Sequence, residues 1–329
     1  MKKLLILLLA ASFAGIAGSA AKKTVVSING KTYEVKNTGD RTQVVVDGKE
    51  LVNITASESG DYQRDAIKPV GKSQTKTLSL GRYTAIDAGS VFRIYLDDTA
   101  SGKVTVTADE AFMPYISARV SNGKLLLSLT GTRGKSINLG KGETIDIHVC
   151  GKDITGLDLS GVCKVVDLVG LSGNTFSLDM SGACYFESKK ELSFSNMDLD
   201  LSGASRVSFK ASCSGRLLLD CSGATVFNAE ISRVKKAVID CSGAAKVNLT
   251  GSASEMELDC SGAAIFHGEK FLAGDTVAEC SGASHAYVNN SGQLALSASG
   301  AGVLTYKKGV SINSISATGS SRIKGVEAY

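Results

Sequence analysis

Apolar and polar residues alternate strictly through the C-terminal part of the chain, and the alternation itself repeats. Numbering each repeat from a recurring Ser, those residues fall at Ser160, Ser181, Ser202, Ser222, Ser242, Ser261, Ser281 and Ser299, with Thr318 in the same place. The intervals of 18 to 21 residues lie in the range of solenoid repeats and are too short for a four-stranded propeller blade of about 40 residues. Three places before each Ser stands an apolar residue: Leu157, Leu178, Leu199, Leu219, Ile239, Leu258, Ala278. Two before stands an acid: Asp158, Asp179, Asp200, Asp220, Asp240, Asp259, Glu279. One before stands Leu159, Met180, Leu201, Cys221, Cys241, Cys260 or Cys280. A period of two predicts a strand whose apolar columns face inward and whose acids face outward.

After each Ser comes Gly, which takes positive φ without steric cost and so predicts a corner. The following strand alternates again. Small residues point inward (Cys163, Cys184, Ser205, Thr225, Ala245), then variable ones outward, then apolar ones inward (Val165, Phe186, Val207, Phe227, Val247). A coil of two or three short strands cannot bury its own inner face, so it stacks on its neighbours. The prediction is an all-β chain folded as a parallel β-helix, with coils of about 20 residues stacked about 4.8 Å apart. Regular rungs run over 157–325. "AIDAGSVFRI" fits the same columns as an earlier rung, with Ile86, Ala88, Phe92 and Ile94 inward and Asp87 outward. Lys103 to Leu129 breaks the rhythm. It reads as a strand, a short helix or turn over Asp109 to Ile116, and a hairpin at Asn122-Gly123, and it is expected to cap the end of the solenoid.

Before this region, residues 1–21 read as a signal peptide. Lys2 and Lys3 precede the apolar run Leu4 to Ala14, and small residues end at Ala20 and Ala21. Residues 22–56 form a β-hairpin region with turns at Asn29-Gly30 and Asp47-Gly48. Residues 57–76 read as a polar linker, and 77–329 as the β-helical domain. No later stretch approaches the length of a membrane-spanning helix, so the mature chain is expected to be exported to the periplasm, the outer-membrane surface or the medium.

The near-balanced net charge of +4 and the 6% aromatic content give no nucleic-acid footprint. Export makes the 8 Cys candidates for disulfides or metal ligands. However, Cys221, Cys241, Cys260 and Cys280 fill one inward column. In-register Cβ atoms stand about 4.8 Å apart there, wider than a disulfide prefers, and a straight column makes no tetrahedral site. They read as small buried hydrophobes. His148 alternates outward between Ile147 and Val149. His267 and His285 lie in outward columns on adjacent rungs near Tyr287 and read as exposed polar residues. The corner serines have no unique His and acid partners from which to build a triad. Asp158, Asp179, Asp200, Asp220, Asp240, Asp259 and Glu279 are the candidate metal site. Seven carboxylates in one row repel, and the repulsion needs an offset. The offset is either local, from flanking Lys or corner N–H groups, or external, from Ca²⁺ or a cationic partner surface.

The stretch "YTAIDAGSVFRIYLDDTASGKVTVTADEAFMPYISARVSNGKLLLSL", followed by "LDLSGA"-type rungs, resembles the bacterial family called putative auto-transporter adhesin, head GIN domain, over roughly Leu78 to Gly325. The resemblance implies an exported right-handed β-helical domain with an adhesive role and supplies no catalytic residues. An autotransporter barrel needs many alternating strands of about ten residues, and none follows the last rung, so self-transport is not expected. The expected function is a non-enzymatic surface or periplasmic binding module for a polysaccharide or protein ligand. The alternative is a carbohydrate-active enzyme, a polysaccharide lyase or hydrolase, on the same fold. The regular outward columns and the lack of Trp weigh against it.

Overall fold

The computed structural model describes residues 66–329 throughout, and before them the strands Lys22–Ile28, Lys31–Thr38, Arg41–Val46 and Lys49–Thr55. Residues 1–21, read as the signal, lie outside the described residues, as do both predicted turn dipeptides of the hairpin region. The four N-terminal strands pair antiparallel in sequence order. The chain divides into two compact units, one of residues 1–68 with 132–138, the other of Pro69–Gly131 with Leu139–Tyr329.

The second unit is a parallel β-solenoid. The inward columns are those the alternation predicts: Leu157, Leu178, Leu199, Leu219, Ile239 and Leu258 are at most 3% exposed, as are the second-strand residues from Val165 to Val247. Phenylalanines pack against one another within the core, Phe176 tilted on Phe194 with centroids 5.2 Å apart and Phe209 edge-on to Phe227 at 5.7 Å. Burying each such side chain contributes about 1.5–3 kcal/mol. Parallel pairing keeps the strand before the corner in register, so that Asp200 faces Asp220, which faces Asp240, which faces Asp259, while bulges fall elsewhere in the coils, as between Ile231 and Val234.

The corner glycines serve two ends. Gly203 takes φ +70°, and a Cβ there would lie 2.3 Å from the carbonyl oxygen of Gly182 on the preceding rung. The close approach lets the corner itself continue the hydrogen-bond ladder, as Ala204 N donates to Gly182 O at 2.7 Å and Ala224 N to Gly203 O at 2.7 Å.

The N-terminal end of the solenoid departs from chain order. Ala85–Ser90 and Phe92–Asp97 form a rung on which Gly156–Gly161 and Lys164–Asp167 stack. On the opposite side of that rung lie Lys124–Leu129 and Ile145–Cys150, which come later in the sequence. Two antiparallel strands close the stack beyond them: Ile116–Ser121 pairs with Lys124–Leu129 through a turn with Asn122 at φ 49° and Gly123 at φ 73°, and Lys103–Asp109 pairs with Ile145–Cys150. The segment expected to cap the solenoid does so. A short 3-10 turn, Met113–Tyr115, separates the two capping strands.

The stretch read as linker ends earlier than 76, because Ser73–Ser79 is an edge strand on Lys103–Asp109. Its residues are exposed apart from half-buried Leu78, so no hydrophobic alternation marks it. The turn before it is anchored by Asp109, only 2% exposed, whose carboxylate accepts from the N–H groups of Val70, Gly71, Lys72 and Ala111. Burial pushes this carboxyl up, but the four N–H groups outweigh it and hold it below the usual carboxylate range.

Candidate functional site

Asp158, Asp179, Asp200, Asp220, Asp240, Asp259 and Glu279 form one exposed outward row, each facing the next across a parallel pair. The structure lengthens it by one, since Asp87 pairs with Asp158. Beyond Glu279 the column continues as Ser297 and Ser316. No hydrogen bond or ion pair within the described residues reaches any carboxylate of the row. The corner N–H groups that could have served are committed to the preceding rung, as with Ser242 N to Cys221 O and Ala244 N to Gly223 O. Lys236, on the same face, pairs instead with Glu257 at 2.6 Å. Partial burial, then the neighbouring carboxylates, raise Asp158, Asp179, Asp200 and Asp240 above the usual range; Lys124 works the other way on Asp158. Among the described residues no three His, Cys, Asp or Glu converge on a point that could hold a metal ion. The row is a line of single carboxylates.

All eight cysteines are free and buried. Burial pushes the Cys221 thiol up to about 12, and the neighbouring Cys260 thiol together with burial raises Cys280. Raised and buried, the Cys221 and Cys280 thiols are core side chains rather than nucleophiles.

The face that follows the corner carries two histidine constellations, and chain order hides the first. His148 stacks on Tyr95 with centroids 4.7 Å apart and bonds Asp97 Oδ2 through Nδ1 at 2.7 Å. Burial pushes Asp97 up, but bonds from Thr99 and His148 outweigh it and hold the carboxyl below its usual range. Arg93 lies over the Tyr95 ring and forms a two-point ion pair with Asp146. His267 stacks on Tyr287 at 5.2 Å and bonds Glu269 through Nδ1 at 3.0 Å. His285 stands in the neighbouring outward column, opposite Ile265. The sequence placed these histidines outward but gave no sign of the Tyr95 and Asp97 contacts, because more than 50 residues separate them from His148.

The family described as "Putative auto-transporter adhesin, head GIN domain" matches over residues 82–240 and 197–309, more than half the chain. The chain belongs to this family. Solved structures share the fold. A putative adhesin from Parabacteroides merdae is 17% identical with a TM-score of 0.56, covering 80% of this chain and all of that one. A putative adhesin from Parabacteroides distasonis is 18% identical with a TM-score of 0.58, covering 79% of this chain and all of that one. A protein from the same organism described as a putative lipid binding protein is 17% identical with a TM-score of 0.54, covering 80% of this chain and all of that one. No curated protein sequence matches. Among the described residues no helix is long and apolar enough to cross a membrane.

Proposed function

We propose that this member of the head GIN family is an exported, non-enzymatic binding module of the cell surface or periplasm, adhesin-like in role. One observation carries the reading: the solenoid holds its side chains in straight outward columns across successive rungs whose strands are paired on both sides. Such a face repeats one chemistry over tens of ångströms, which suits an extended or multivalent ligand rather than a single reacting bond. The acid row is the edge that would take Ca²⁺ or a cationic partner surface, since no ion pair within the described residues reaches it. The test is saturable retention of the purified full chain on isolated cell-envelope fractions. Absence of retention on every fraction overturns the proposal.

The second reading, a carbohydrate-active enzyme, draws on the His148 and Asp97 pair beside Arg93 and Asp146. Sustained product formation from acidic polysaccharides, lost in His148→Ala, would establish it in place of the first.

A further inference from the structure

Five consecutive rungs put neutral hydrogen-bonding side chains in one outward column: Ser208, Asn228, Asn248, His267 and Tyr287. The column beside it reads Arg206, Val226, Lys246, Ile265 and His285. The neutral run is therefore a local feature of one stripe. Asn248 Nδ2 donates to Asn228 Oδ1 at 2.7 Å, which fixes both amides and leaves Asn228 its N–H donors and Asn248 its carbonyl oxygen. His267 is held by its stack on Tyr287 and by Glu269, so its Nε2 is the ring's remaining polar atom.

A groove of about 550 Å³ runs beside Ser208, Asn228 and Asn248. Of its three lysines, Lys189 and Lys210 are paired with Glu187 and Glu230, and Lys190 shares the lining with Glu191. Near the other end of the stripe, Asn289 donates to the Glu269 carbonyl while its own Oδ1 is buried without a partner.

These features narrow the ligand. An added peptide strand needs an open sheet edge, but these strands are paired on both sides. Nucleic acid needs an excess of unpaired cations, and the groove offers only Lys190, beside Glu191 in the same lining. A lipid chain needs an apolar channel. Hydroxyl groups, which both donate and accept, match amides, a hydroxyl, an imidazole and a phenol set in line over about 19 Å. We propose that this stripe and its groove bind a short linear neutral oligosaccharide. The inference rests on the binding-module reading and names its ligand class.

The test titrates the full chain by calorimetry with cellohexaose, chitohexaose and maltohexaose. At least one is expected to saturate below about 1 mM, with Asn248→Ala and Tyr287→Ala each weakening it about fivefold or more. Asn248→Ser keeps a hydroxyl in the column and guards against a folding defect; it should melt as the wild type does and bind more weakly. Glu255→Gln, exposed and outside both the stripe and the acid row, should bind as the wild type does. If none of the three sugars saturates by about 5 mM, or if binding survives both alanine substitutions, the proposal is wrong. A chain that ignores all three sugars yet is retained on envelope fractions would lose this ligand class and keep the binding-module reading.

Discussion

Replacing Asp220, Asp240 and Asp259 together by Ser, the residue that continues the same column at Ser297 and Ser316, should stabilise the solenoid. Adjacent carboxylates on rungs about 4.8 Å apart repel by about 0.9 kcal/mol in bulk water, or about 0.5 kcal/mol after screening at physiological salt. The substitution removes four nearest-neighbour contacts, from Asp200 with Asp220 through Asp259 with Glu279. They contribute about 2 kcal/mol, and second neighbours raise the total to about 2.5 kcal/mol. In the unfolded chain these residues are about 20 positions apart and their repulsion is small. Urea is the suitable denaturant because it leaves ionic strength free. The gain should fall below about 1 kcal/mol in 1 M NaCl. It also has a definite pH dependence. The folded-state pKa values of Asp158, Asp179, Asp200 and Asp240 are raised. Their contribution is therefore fully present below the unfolded value of about 3.9 and is lost as pH rises through the folded values. The variant's advantage should thus be absent below about pH 3.9 and complete at neutrality. A variant no more stable than the wild type, or a gain indifferent to both salt and pH, refutes the reasoning.

If the row takes Ca²⁺, millimolar Ca²⁺ should raise the wild-type melting temperature more than NaCl of equal ionic strength, and the triple variant should lose that increment; equal shifts would exclude a bound ion. Gly203→Ala should destabilise by about 2–4 kcal/mol, since it combines a left-handed backbone with a Cβ driven onto the Gly182 carbonyl; an unchanged urea midpoint would mean the corner can open. Alkylation in denaturant without reductant should add eight labels per chain by intact mass, and fewer would mean that some of the cysteines pair. Asp109→Asn should lower the urea midpoint at pH 7. Because the folded pKa of Asp109 is lowered, its contribution is present above about 3.9 and lost as pH falls through the folded value, so the two proteins should converge in acid; a constant gap would place the defect elsewhere.

The sequence alone determined the rung length, the inward and outward columns, the glycine corners and the Asn122-Gly123 hairpin. Each of these is local. A period of two assigns a face without reference to any partner, and a positive φ is a property of one residue. The acid row was legible for the same reason, once identical columns were stacked. Tertiary structure decided the rest. Nothing local tells Ile145–Cys150 to slide between Phe92–Asp97 and Lys103–Asp109, yet that insertion brings His148 onto Tyr95 and Asp97. The same non-sequential stacking adds Asp87 to the acids. Ser73–Ser79 becomes a strand only because Lys103–Asp109 offers an edge, and its exposed residues carry no burial signal. The neutral stripe from Ser208 to Tyr287 was unreadable because outward positions are free of packing constraint and carry no period; neighbours across rungs are set by backbone register, which only long-range pairing fixes.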